Sequence, residues 1–207
     1  MSELPLTRNR VSSIREQKIR DAVRGAAGIA FETSPSRLAT PDDASALFEF
    51  LSDPAIHGPI YNLPRPLTQT SVRAFIERKL VARAAGEGLL FLRLDHDARV
   101  LGYSEFDFWP EFGAGDLGGA LRQDQQGKRA GIAGAKRTFT WMFETLHLNL
   151  IVATGALDNI RTARMLDGLG LIQKGEITNQ RPDGSERRSR VWEVTRDDWL
   201  KQQARAD

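Results

Sequence analysis

Residues Gln125 to Lys136 read QQGKRAGIAGAK and stand between a strand-like segment and a strongly periodic helix. A loop that leaves a strand and opens a helix presents unpaired backbone N–H groups at the positive end of the helix dipole, a geometry suited to phosphate. Glycines there let a ligand approach the main chain, yet Arg129 occupies the middle of the run. The spacing is neither that of a P-loop, since no Gly-Lys pair is followed by Ser or Thr, nor GxGxxG. Taken alone, it reads equally as a phosphate corner or as a Gly-rich helix start.

The residues around the corner supply its context. Upstream, LLFLRLD and RVLGYSEFDFW flank His96-Asp97 as a hairpin, and GDLGGALR reads as a third strand weakened by glycines. Downstream, Ile132, Ala135, Phe139, Met142, Phe143 and Leu146 keep helical spacing, and LNLIVATG is an apolar run suited to a buried strand. A further helix starts at Asp158 with Ile160, Ala163, Leu166 and Leu169 on one side and Gly170 at its end. GLIQKGEIT and RRSRVWEVT then form the last two strands around Pro182-Asp183-Gly184.

Before the hairpin, SRLAT is a short strand and Thr40 caps a helix whose buried face is Ala44, Leu47, Phe48 and Leu51. The Pro-rich loop HGPIYNLPRP leads to a second helix with Val72, Phe75, Ile76 and Leu80 on one side, ended by Gly86 and Gly88. Residues 1–33 are expected to be a helical extension in which Ser13 and Glu16 have capping-box spacing and Ile14, Ile19, Val23, Ala26 and Ala27 form the apolar stripe. Its basic face fits a solvated surface, a subunit contact, or a nucleic-acid or ribosome contact. Residues 34–207 are expected to form one domain.

Composition narrows the chemistry. The 207 residues, 41% hydrophobic and 27% charged, are enough for one well-buried core. The chain has no cysteine, which excludes disulfides, thiolate metal sites and cysteine nucleophiles. Lysines and arginines number 29 against 27 acidic residues, a net charge of +2 that does not call for nucleic acid. The apolar runs fall short of the roughly 20 residues that span a bilayer, so a cytoplasmic protein without a membrane partner is expected. The three histidines, His57, His96 and His147, are too dispersed for a metal site.

The order strand, QQGKRAGIAGAK, helix, LNLIVATG, DNIRTARMLDGLGLIQKGE resembles the GNAT N-acetyltransferase superfamily, in the RimJ/RimL-like branch that acetylates N-terminal amines of ribosomal proteins. The resemblance covers roughly Ser36 to Leu200. It implies an α/β (α+β) fold, a mixed and mostly antiparallel central sheet splayed near its middle and flanked by helices. It also implies that acetyl-CoA is the co-substrate and that no metal is needed. In the family a corner of the form (Q/R)-x-x-G-x-(G/A) binds the pyrophosphate, which falls here on Gln126, Gly127, Lys128, Arg129, Ala130, Gly131 and Ile132. Arg129 stands where the family has its middle glycine; backbone donors survive this if the residue is helical, and Lys128 and Arg129 then add contacts to the phosphates.

By the same resemblance, the strand holding Gly119, Ala120 and Leu121 pairs with the pantetheine arm and gives an N–H to the thioester oxygen, and Asn159 contacts the arm or caps its helix. Asp116 lies where this branch often has a glutamate, and Glu105 lies on the neighbouring strand. Either accepts the proton of the attacking amine, or both are strand carboxylates paired with cations. Leu166 stands where many members carry a tyrosine acid. His57 and Tyr61, in the Pro-rich loop, are candidates for acceptor selection or plain loop residues. The expected function is acetyl transfer to a primary amine, a protein N-terminus or a small amine, in a ternary complex. A non-catalytic acyl-CoA-binding or RNA- or ribosome-binding protein is the alternative, and homodimerisation is left open.

Overall fold

Ser12, one residue before the expected cap, opens the first helix, its Oγ accepting from the Arg15 N–H at 3.3 Å. In the computed structural model, which describes residues 4–31, 35–125, 130–180 and 183–204, this helix α1 spans Ser13–Gly25. Ile19 and Val23 are fully buried on it, whereas Ile14, expected on the same stripe, is 82% exposed. The stripe fails there, in the first turn of the helix.

The strands are β1 (Ser36–Leu38), β2 (Gly88–Leu94), β3 (Val100–Trp109), β4 (Ala114–Leu121), β5 (Leu150–Ala156), β6 (Ile172–Gln180) and β7 (Glu186–Thr195). They form one sheet in the order β1-β2-β3-β4-β5-β7-β6. Every neighbouring pair is antiparallel except β4 with β5. The remaining α-helices are α2 (Ala44–Leu51), α3 (Pro54–His57), α4 (Gln69–Ala85), α5 (Ala130–Glu144), α6 (Ile160–Gly168) and, after the last strand, α7 (Arg196–Gln203). Gly86, at φ +77°, ends α4 in the left-handed region that a side chain would make costly. α3 and α7 were not legible: α3 is a single turn in a Pro-rich loop, and α7 buries only Trp199.

Because strand side chains alternate, the sheet separates two cores. One face carries Phe91, Phe106, Phe108, Ile151 and Trp192, covered by α1, α5, α6 and α7. The other carries Leu90, Leu92 and Tyr103 beneath α2, α3 and α4. Of the expected helix residues, Phe48 is only partly buried and Phe50 takes the core position on α2, while Ile160 is 59% exposed where α6 begins.

An arm at the start of the chain joins the faces. Leu4 packs with Leu150, Val152, Ile177 and Val191 on the side away from α1. Glu193, 1% exposed, accepts from the Leu6 and Thr7 N–H groups at 2.8 and 3.0 Å and from Thr7 Oγ1 at 2.5 Å. Val11 N–H then donates to Glu111 O at 3.0 Å, and the chain passes round this edge into α1 on the opposite face. Replacing Glu193 by alanine leaves these donors without their anionic acceptor, so a loss of about 2 kcal/mol or more in urea unfolding is expected. A loss under about 0.5 kcal/mol, the range of ordinary surface substitutions, would mean that Leu4 alone fixes the arm.

Candidate active site

The parallel pairing of β4 with β5 lasts only from Ala114↔Leu150 to Asp116↔Val152. Beyond it β4 runs on to Leu121 against β3, and β5 runs on to Ala156 against β7, so the two strands diverge. A wedge therefore opens in the middle of the sheet, with Asp116 at its vertex. Along one side, beyond Asp116, β4 has no strand beside it among the described residues. Gly119, at φ +146°, belongs to that side; a Cβ there would meet Tyr103 O at 2.3 Å, so only glycine lets β4 follow β3 this closely.

The wedge is part of a cleft of about 530 Å³ that passes through the sheet. Toward α5 and α6 its walls include Gly131, Gly134, Thr138, Phe139, Asn159 and Met165; toward α3 they include Ile56, Pro59, Tyr61, Asn62, Asp107 and Arg187. A Cβ at Gly131 or Gly134 would meet nothing within 4 Å, so the start of α5 faces open space. Such a slot fits an extended pantetheine arm lying against the free edge of β4.

The α3 side is acidic by register. Tyr103, Glu105 and Asp107 alternate onto one face of β3 and stand opposite Ala120, Gly118 and Asp116 of β4. Asp107 and Asp116 are thus like charges directly across a strand pair, an arrangement that costs energy while both are ionised. Lys79 of α4, itself 9% exposed, reaches into this cluster, its Nζ 2.8 Å from Glu105 Oε1 and 2.6 Å from Asp107 Oδ1. The ammonium also donates to Phe106 O at 3.3 Å. The second oxygen of Glu105 accepts from Asn62 Nδ2 at 2.8 Å, which ties the loop beside Tyr61 to the sheet.

These surroundings divide the carboxylates. Both oxygens of Glu105 are engaged, whereas Asp116 Oδ1 is enclosed and has no hydrogen-bond partner. Burial first, and then the charge of Asp107, push Asp116 up to about 7; the Leu117 N–H and Lys79 oppose the shift and Glu105 adds to it. Burial also raises Glu105, against the pull of Lys79. Lys79 loses to burial and gains more from its two carboxylates, so it is held above its ordinary value. Tyr61 is driven well above the usual phenol range by burial and by Asp116, Glu105 and Asp107, and the Arg187 guanidinium lies over its ring at 4.9 Å.

Among the expected site residues, Gly119, Ala120, Leu121, Gly131, Asn159, Tyr61, Glu105 and Asp116 all line this cleft. Gln126, Gly127, Lys128 and Arg129 lie outside the described residues, and Ala130 is the first residue of α5. Ile132 is 44% exposed in the first turn of that helix. Asn159 caps α6, its Oδ1 accepting from the Thr162 N–H at 3.0 Å. His57 lines a separate hollow of about 170 Å³ with Arg65 and Asp183, its Nδ1 2.9 Å from Leu51 O. Arg122 pairs with Asp124 at 2.8 Å rather than with a strand carboxylate.

Sequence reading missed Lys79, Asn62, Tyr103, Asp107 and Arg187. Three of them carried a signal: Tyr103 and Asp107 keep strand period with Glu105, and Lys79 falls on the helical stripe of Val72, Phe75 and Ile76. No local pattern announces the rest. Among the described residues, no group of three or more His, Cys, Asp or Glu could hold a metal ion, and no helix is long and apolar enough to cross a membrane.

A sequence model of the acetyltransferase (GNAT) domain matches residues 37–172. No curated protein sequence matches the chain. Among solved structures, the fold is similar to a ribosomal-protein-S5-alanine acetyltransferase from Vibrio fischeri, with a TM-score of 0.68 and 21% identity over 84% of this chain and 99% of that one. Mycobacterium smegmatis RimJ in complex with CoA-disulfide gives a TM-score of 0.65 at 16% identity, covering 79% of this chain and 82% of its own. Spermidine N-acetyltransferase from Vibrio cholerae, in complex with CoA and spermine, gives 0.64 at 14% identity over 80% of this chain and 96% of its own.

Proposed function

The chain belongs to the acetyltransferase (GNAT) family, and from that premise we propose that it moves the acetyl group of acetyl-CoA onto a primary amine held at Asp116, by direct attack in a ternary complex. The observation that carries this reading is the wedge between β4 and β5, which opens at a carboxyl group pushed up to about 7. Acetyl-CoA supplies the activated acyl group. Gly119, Ala120 and Leu121 lie along the side of β4 that faces the wedge and would run beside its pantetheine arm, and a β4 N–H faces the thioester oxygen as charge develops there. The start of α5 takes the pyrophosphate. Lys128 and Arg129 add charge-assisted contacts to the phosphates, a role that equal acetyl-CoA affinity in Arg129→Gly would remove.

The acceptor enters from the α3 side, past Tyr61. As its nitrogen bonds to the thioester carbon, Asp116 takes the proton that nitrogen loses, and the carbon–sulfur bond breaks to release CoA thiolate. Leu166 lines the cleft and offers no proton, so the thiolate collects one from solvent. A peptide N-terminus, with a free pKa of about 7.7 to 8.0, is within reach of a base near 7, whereas a lysine side chain near 10.4 asks more of it. Glu105 then serves as the anchor between Lys79 and Asn62 rather than as the base.

The test is calorimetric titration with acetyl-CoA and with CoA lacking its 3′-phosphate, followed by transfer of labelled acetyl to peptides with free N-termini and to small amines. Saturable binding with amine-dependent transfer is the expected result. Binding without transfer to any amine would leave the non-catalytic acyl-CoA-binding alternative, and no binding would overturn both.

A further inference from the structure

Among the described residues, two enclosed polar atoms in the acceptor half of the cleft have no hydrogen-bond partner: Asp116 Oδ1 and the Tyr103 hydroxyl. The first is accounted for by the proposed chemistry. Tyr103 is not. It is 4% exposed, its ring stands edge-on to Phe50 with centroids 6.1 Å apart, and it lines the cleft on the same face as Asp116. A buried hydroxyl left unpaired costs free energy, and phenylalanine would fill the same apolar place without that cost. The hydroxyl is therefore a liability to the fold unless a ligand or an ordered water meets it.

Register gives the spacing. Tyr103 stands opposite Ala120, and Ala120 lies four residues past Asp116 along β4. At about 3.3 Å per residue, the two side chains leave the sheet roughly 13 Å apart. Between them the floor is Gly118 and Ala120, and Ile56 and Ile60 supply apolar wall. The charged groups facing this half are Glu105, Asp107 and Asp116, against Lys79 and Arg187. With Asp116 ionised, one negative charge is left over, which favours a donor and disfavours a carboxylate.

We propose that Tyr103 is a specificity-determining residue: its enclosed hydroxyl binds a second polar group, a hydrogen-bond donor, at the far end of an elongated primary amine whose reacting nitrogen lies at Asp116, with the apolar middle of that acceptor held over Gly118 and Ala120. The inference rests on the reading of Asp116 as the place of the amine. It selects a linear acceptor with polar groups at both ends over a short or purely alkyl monoamine.

The probes are octylamine, its ω-hydroxy derivative and an ω-carboxylate of matching length, with shorter and longer ω-hydroxy homologues to bracket the spacing. For the wild type, kcat/KM for the hydroxy compound is expected to exceed that for octylamine by at least about tenfold, mainly through KM, and the carboxylate is expected to gain nothing. In Tyr103→Phe the two should agree within about twofold. The variant's Tm should hold or rise by about 2 to 4 °C. A wild-type ratio near one, a ratio preserved in Tyr103→Phe, or a fall in Tm would overturn the proposal. The same ratio is read as binding by calorimetry in the presence of CoA. A preference found there and lost in Tyr103→Phe, without acetyl transfer to any probe, would support Tyr103 and sink the transfer reading alone.

Discussion

Asp116→Asn is expected to lower kcat/KM at pH 8 by roughly 10² to 10⁴-fold, the usual worth of a positioned general base. The pH profile identifies the cause. With its carboxyl pushed up to about 7, Asp116 already holds a proton below that pH, so wild-type activity should climb as pH rises through about 7. The asparagine variant should lack that limb. Stability should move the other way: a carboxyl raised in the native state contributes stability that is full below its unfolded value and lost as pH rises through about 7. Above pH 7 the asparagine variant, free of the buried negative charge and of its repulsion with Asp107, should melt at a higher temperature than the wild type. Activity retained within about threefold at pH 8 would remove Asp116 from the chemistry.

Lys79→Met is expected to have the largest effect on stability. The ammonium lies 2.8 Å from Glu105, and the two side chains are 10% and 5% exposed, so methionine strands a buried carboxylate. Breaking such a pair from one side costs about 3 to 5 kcal/mol, a fall in Tm on the order of 10 °C in a chain of this size. Adding Glu105→Leu to the same variant should restore most of the loss, because a well-packed apolar pair avoids burying charge. A single variant as stable as the wild type would mean that Glu105 is carried neutral. The substitution also removes a cation that opposes the shift of Asp116, so the acid limb of the profile should move to higher pH. That displacement is a readout a merely structural lysine would not give.

Much of the sheet was legible because its signals are local. Leu89 and Phe91 alternate with Leu90 and Leu92 in β2, and the helical period of Phe139, Met142, Phe143 and Leu146 marks the buried face of α5. The wedge was expected from resemblance, but its vertex depends on how far β4 stays paired with β5, and nothing in either strand states that. The acidic cluster depends on which residue of β4 stands opposite Asp107, again a matter of register. Arg187 reaches the cleft only because β7 lies beside β5. His57 and Tyr61 looked alike in sequence, and the single turn of α3 sends them to different hollows.

The brevity of the β4–β5 pairing bears on how the whole molecule holds together. The sheet is two leaves, β1 to β4 and β5 to β7, and the seam between them has only three rungs. Other contacts also cross that seam: the arm, passing from Glu193 on one leaf to Glu111 beside the other, the Arg187 guanidinium donating to Pro59 O, and α1 and α5 in the core shared by both leaves. A ligand that occupies the free edge of β4 supplies rungs the polypeptide omits. Acetyl-CoA bound there would act as an extra strand, fastening the two leaves along a stretch where their own backbones do not meet.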